Sequence, residues 1–69
     1  MNSEIIFQVE ESPEEVFLAR ALGYSIFTEG NSLQELKKNI REAVHCHFET
    51  NEIPKIIRLH FVKEEVFAA

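Results

Sequence analysis

Residues Gly23 to Phe48, GYSIFTEGNSLQELKKNIREAVHCHF, decide how this chain folds. Gly23-Tyr24-Ser25 reads as a turn, and Ile26-Phe27-Thr28 as a short strand. Glu29-Gly30-Asn31 ends that strand, with Gly30 free to take a positive φ. Ser32 is an N-cap residue, and Glu35, three positions on, completes a capping box. The apolar positions that follow are Leu33, Leu36, Ile40, Ala43, Val44 and Phe48. They recur at the helical period and mark one face of an amphipathic helix. Thr50-Asn51-Glu52 and Pro54 stop it.

On the N-terminal side, Ile5 to Glu10 alternates. Ile5, Phe7 and Val9 point one way, and Ile6, Gln8 and Glu10 the other, as in a half-buried strand. Glu11-Ser12-Pro13-Glu14-Glu15 breaks the pattern as a turn. Val16 to Leu22 lies between two turn signals and reads as a second strand, pairing antiparallel with the first. On the C-terminal side, Ile56 to Val62, IIRLHFV, reads as a fourth strand. The order is β-β-β-α-β, an α+β domain over residues 1–69 with a small antiparallel-rich sheet and one helix across one face. The expected inner face carries Ile5, Phe7, Val9, Phe17, Ala19, Ala21, Ile57, Leu59 and Phe61. Its alanines let the helix approach closely.

The opposite face then has nothing in the chain to cover it. It carries Ile6, Val16, Leu18, Ile56 and Val62 beside Gln8, Arg20, Arg58 and His60. A half-apolar open sheet face points to association, with another copy or with a different protein. Phe67, in the tail Val66-Phe67-Ala68-Ala69, adds apolar surface to the same expectation.

Size supports a partner. A domain of 69 residues buries only roughly 60% of the surface that its unfolded chain exposes. Hydrophobic burial then barely offsets an ordering cost of roughly 1.5 kcal/mol per residue. The single cysteine, Cys46, rules out an intrachain disulfide and fits a reducing compartment. With no signal-peptide pattern and no apolar run of membrane-spanning length, the chain reads as soluble and cytoplasmic. The net charge is −5, and all 12 acidic residues are glutamates. Direct binding of nucleic acid needs a lysine and arginine surface. Here the cations are scattered, and the one cluster, Lys37, Lys38 and Arg41, reads as a solvated helix face. An acidic chain suits a basic partner.

The candidate chemistry is thin. His45-Cys46-His47 invites a metal reading, but successive helical residues lie about 100° apart. The two histidines therefore point to nearly opposite sides, whereas zinc-sharing histidines on a helix sit four apart. Cys46 does not face a neighbouring base either, because adjacent helical residues diverge. Glu10, Glu11, Glu14 and Glu15 make an acidic loop that reads as a solvated turn. The glycine spacing of nucleotide-binding loops is absent. The expectation is a non-enzyme with no cofactor and no bound metal.

One resemblance follows from these residues. IIFQVEES, VFLARALG, the turn Thr28-Glu29-Gly30-Asn31-Ser32-Leu33-Gln34-Glu35-Leu36 (a TxGxSxxEL pattern) and Asn39-Ile40-Arg41-Glu42-Ala43-Val44 together resemble HicB-like proteins over roughly residues 4 to 50. The resemblance implies a partial ribonuclease-H-like fold. It also implies an antitoxin role, in which the chain neutralises a small basic HicA-type ribonuclease that cleaves messenger RNA, and self-association as a dimer or tetramer. Before the second strand this chain has Glu14-Glu15-Val16-Phe17 where the family has a glycine-aromatic turn. The helix-turn-helix or ribbon-helix-helix operator-binding module of longer members is not expected in 69 residues, so the chain looks like the short, stand-alone members. Ribonuclease-H activity is not implied, because two-metal cleavage needs converging carboxylates. This chain has no aspartate, and its glutamates lie mainly in loops and at strand ends.

Overall fold

A computed structural model describes residues 3–63 and 65–69. Four strands and one helix appear in the expected order: β1 (Glu4–Glu11), β2 (Phe17–Ala21), β3 (Phe27–Gly30), α1 (Leu33–His47) and β4 (Ile56–Val62). A single 3₁₀ turn, Thr50–Glu52, separates the helix from β4. The sheet order is β3-β2-β1-β4. β2 is antiparallel to both of its neighbours, and β4 is parallel to β1. Hence β1, β3 and β4 run the same way, and α1 is the crossover that carries the chain from one edge to the other.

The period-two pattern of β1 sets the layers. Ile5, Phe7 and Val9 are buried beneath the helix, with Ala19 and Ala21 from β2 and Leu36, Ile40 and Val44 from α1. Burying Phe7 fully contributes about 2–3 kcal/mol by area. Ile26, just before β3, is also buried, and its carbonyl accepts the Ala21 N–H at 3.0 Å. The strand thus starts one residue later than its apolar pattern implies, because Ile26 closes the turn. Phe17, Ile57 and Leu59 pack at the margin of the core.

Phe61 departs from the expected inner face: it is 53% exposed. Its side is right, since it pairs with buried Val9. The helix starts over the β3 edge, however, and does not cover the far end of β4. Val16 departs as well. It lies outside β2, in a loop where its N–H donates to Ser12 Oγ at 3.3 Å and its carbonyl accepts the Ser12 N–H at 2.8 Å. That closure requires Glu15 to take a φ of 63°.

The helix start follows the sequence with one shift. Ser32 Oγ accepts the Glu35 N–H at 3.1 Å, while the Glu35 carboxylate accepts the Asn31 N–H at 3.0 Å. A capping box would take the Ser32 N–H instead. Gly30 corrects the expectation placed on it. The left-handed glycine is Gly23, at φ 86°. Gly30 is needed for space, since a Cβ there would stand 2.6 Å from the Leu36 nitrogen and 2.8 Å from its Cα.

Candidate protein-interaction surface

The face of the sheet away from α1 is built in rows, because directly opposed residues on paired strands share a side. One row runs Glu29, Leu18, Glu10, Val62 from β3 to β4. The next runs Phe27, Arg20, Gln8, His60. Beyond it Ile6 stands beside Arg58, and Glu4 beside Ile56. Eight of the predicted surface residues therefore come together here: Ile6, Gln8, Leu18, Arg20, Ile56, Arg58, His60 and Val62. Val16 sits in the loop outside β2, and Phe67 in the segment after β4.

Sequence reasoning placed Glu10 on this side of β1 with Ile6 and Gln8, but left Phe27, Glu4 and Glu29 out of this surface. Phe27 is 64% exposed. The sequence places it in the strand Ile26-Phe27-Thr28, but three residues give no alternation from which to assign its face. The pairing of Phe27 with Arg20 supplies that assignment.

The charges on this face are sorted. The hairpin end carries Glu10 and Glu29, and the chain continues there into Glu11, Glu14 and Glu15. Glu10, Glu11, Ser12, Pro13, Leu18 and Val62 line a groove of about 380 Å³. Its lining is part apolar (Pro13, Leu18, Val62) and part acidic (Glu10, Glu11). The other end carries the one salt bridge among the described residues, in which Arg58 Nε and Nη2 donate to Glu4 Oε1 at 2.9 and 2.7 Å. The hydrogen bond that Arg58 donates to Glu4, and then the carboxylate's charge, push the Arg58 pKa up and hold the guanidinium in its charged form.

The His45-Cys46-His47 segment forms a different feature. All three residues are exposed. His47 joins an edge-to-face aromatic cluster with Tyr24 and Phe48, at ring-centre distances of 4.9 to 5.9 Å. Such pairs favour packing of the helix end on the Tyr24 turn. Among the described residues, no three metal-ligating side chains converge. Nor is any helix long and apolar enough to cross a membrane.

Two relatives align with most of the chain. A UPF0150 protein of Archaeoglobus fulgidus is 54% identical over 52 residues, which is 75% of this chain and 77% of that protein. A UPF0150 protein of Thermotoga maritima is 38% identical over 67 residues, 97% of this chain and 94% of that protein. No family model matches the chain. No solved structure matches it either.

Proposed function

The chain belongs to the UPF0150 family, and we propose that it acts as an antitoxin-like protein-binding module, covering a small basic HicA-type ribonuclease rather than catalysing a reaction itself. The observation that carries this reading is the groove at the hairpin end of the open face. Leu18, Val62 and Pro13 offer apolar contact there, and Glu10 and Glu11 offer charge of one sign. A basic partner with an apolar residue at its centre matches both, and opposite charge speeds its encounter. The HicB-like motifs from Ile5 to Val44 support the same reading, as does the net charge of −5.

The test takes as partner a basic HicA-type chain, sought first in the reading frames beside this gene. Co-expression is expected to relieve the growth arrest that such a toxin causes, and the two chains are expected to co-elute on a sizing column. Glu10→Lys with Leu18→Asp, both on the open face, is expected to weaken the complex at least tenfold, with unchanged circular dichroism. Continued growth arrest together with separate elution would sink the reading.

The second reading is a self-associating domain without a toxin partner, which would still act in the cytoplasm. The β4 edge, unpaired among the described residues, and the exposed Val66 and Phe67 favour that reading.

A further inference from the structure

On the helix side of the sheet the sign of the surface reverses. Lys37, Ile40, Arg41, Lys55, Ile57 and Leu59 line a groove of about 190 Å³ between α1 and β4. Ile40 is buried, Ile57 and Leu59 are half-buried, and the three cations are exposed. The sequence reads Lys37, Lys38 and Arg41 as one solvated helix face, and the structure divides them. Lys37 and Arg41, four apart and so on one side of the helix, line the groove, while Lys38 does not. Among the described residues the one salt bridge is Arg58 with Glu4, so no described carboxylate pairs with Lys37, Arg41 or Lys55. The chain has 12 glutamates and a net charge of −5, yet cations alone ring this apolar floor.

The strand that walls this groove is the sheet edge, and one bond fixes which way its backbone faces. The Ile56 N–H donates to the Ser3 carbonyl at 2.9 Å, next to the Glu4–Ile56 pairing. Bonding residues alternate along a parallel ladder, so Ile57, Leu59 and Phe61 turn their N–H and C=O groups away from β1. Their side chains lie on the helix side, since they pair with the buried Ile5, Phe7 and Val9. The strand holds no proline and no lysine, and it pairs with β1 without a bulge. Three of the usual devices that blunt an edge are therefore missing. Outward backbone groups and unpaired cations thus stand side by side.

We propose that this edge takes up an extended acidic segment of a partner protein as an added strand, with glutamate side chains over the groove. Residues of the segment opposed to Ile57 and Leu59 share their side. The methylenes of a glutamate there rest on Ile40, Ile57 and Leu59, and its carboxylate meets Lys37, Arg41 or Lys55. The backbone of the segment takes up the outward groups of Ile57, Leu59 and Phe61, which gives affinity, while the groove gives specificity. Residues between the glutamates face the open side beside Ile56, which is 51% exposed, and suit apolar side chains. Phosphates of a nucleic acid match the cations but offer the edge no ladder of donors and acceptors. The competing occupant is a second β4. Residues 55–63 carry Lys55, Arg58 and Lys63 and no carboxylate, so a second β4 sets cations against cations, which is destabilising on paired strands. The acidic groove lies at the hairpin end of the opposite face, so the proposal stands whether or not a basic toxin binds there.

The probe is a short, end-capped, fluorescently labelled peptide of alternating valine and glutamate, followed by anisotropy. Saturable micromolar binding is expected, with at least about tenfold weaker binding of the counterpart made of valine and lysine. Lys37→Glu with Arg41→Glu, both exposed, is expected to weaken the glutamate peptide at least about tenfold and to strengthen the lysine peptide, with unchanged circular dichroism. Phe61→Pro removes one outward donor outside the groove. It is expected to weaken binding about tenfold while the cations stay in place. Glu10→Lys with Leu18→Asp, on the opposite face, is expected to leave peptide binding within about twofold of the parent. No binding at about 100 μM protein would overturn the proposal. So would equal binding of the two peptides, or displacement by a single-stranded oligonucleotide as readily as by unlabelled glutamate peptide. A chain that sediments as a dimer and excludes the peptide would give the edge to a second copy, and would overturn it as well.

Discussion

The sheet has two edges, and the chain treats them differently. β3 is short and finished from within. It ends at Gly30, pressed beneath Leu36, and its Glu29 carbonyl accepts the Asn39 side-chain Nδ2–H at 2.8 Å. The helix thus covers that edge and takes up one of its backbone acceptors. β4 is seven residues long against four for β3. It has the helix at its margin only. The Ile56 N–H donates to the Ser3 carbonyl, and bonding residues alternate along a parallel ladder, so Arg58, His60 and Val62 also turn their backbone toward β1 while Ile57, Leu59 and Phe61 turn theirs outward. Among the described residues one helix, α1, lies on the sheet, and it covers the β3 edge rather than both. The helix secures the edge where it begins, and leaves the backbone of the other facing outward.

Proline substitution tests the backbone directions on which this contrast rests. His60→Pro removes a donor aimed at β1 and drives the ring into the ladder. It is expected to cost roughly 3 kcal/mol, read as a lowered urea midpoint. Phe61→Pro, one residue on, removes a donor aimed away from β1 and loses a half-exposed ring. Its expected cost is about 1 kcal/mol. Equal losses for the two variants would mean that the outward and inward assignments along β4 are wrong.

Gly30→Ala probes the covered edge. The added methyl meets helix backbone at 2.6 and 2.8 Å, and backbone cannot rotate aside as a side chain does. The helix start must lift from β3, at an expected cost of about 2 kcal/mol in thermal or urea unfolding. Unchanged stability would show that the helix start has slack. Ser32→Ala, at the same junction, is expected to cost about 1 kcal/mol, because it strips the acceptor from the Glu35 N–H.

Much of this architecture was legible in the chain, for identifiable reasons. The β1 alternation and the α1 period gave the layers, since each is long enough for its period to repeat. β4 was read with its true bounds, Ile56 to Val62. What failed lay where a residue's role depends on distant neighbours. Phe61 alternates correctly, yet only the starting point of the helix decides that it is left exposed. Gly30 looked like a turn glycine, and nothing local reveals that the second turn of the helix sits on it. Val16 was assigned to β2, but the Ser12 bonds and the left-handed Glu15 hold it in the loop. The surface was legible as a face and not as a charge pattern, because the rows need the register between strands. Glu10 and Glu29 come together only through Leu18.

Asn39→Ala gives the smallest expected effect and separates stability from association. Its side chain is half-buried over the β3 edge, and its loss leaves the Glu29 carbonyl to water. Water replaces most of the lost bond, so the expected cost is about 0.5–1 kcal/mol. The association constant is expected to stay within twofold of the parent, because Gly30 remains under the helix and β3 offers only a short edge. If Asn39→Ala instead raised self-association, the β3 edge would be held closed by one amide, and the difference between the two edges would lie in a single side chain rather than in strand length and helix placement.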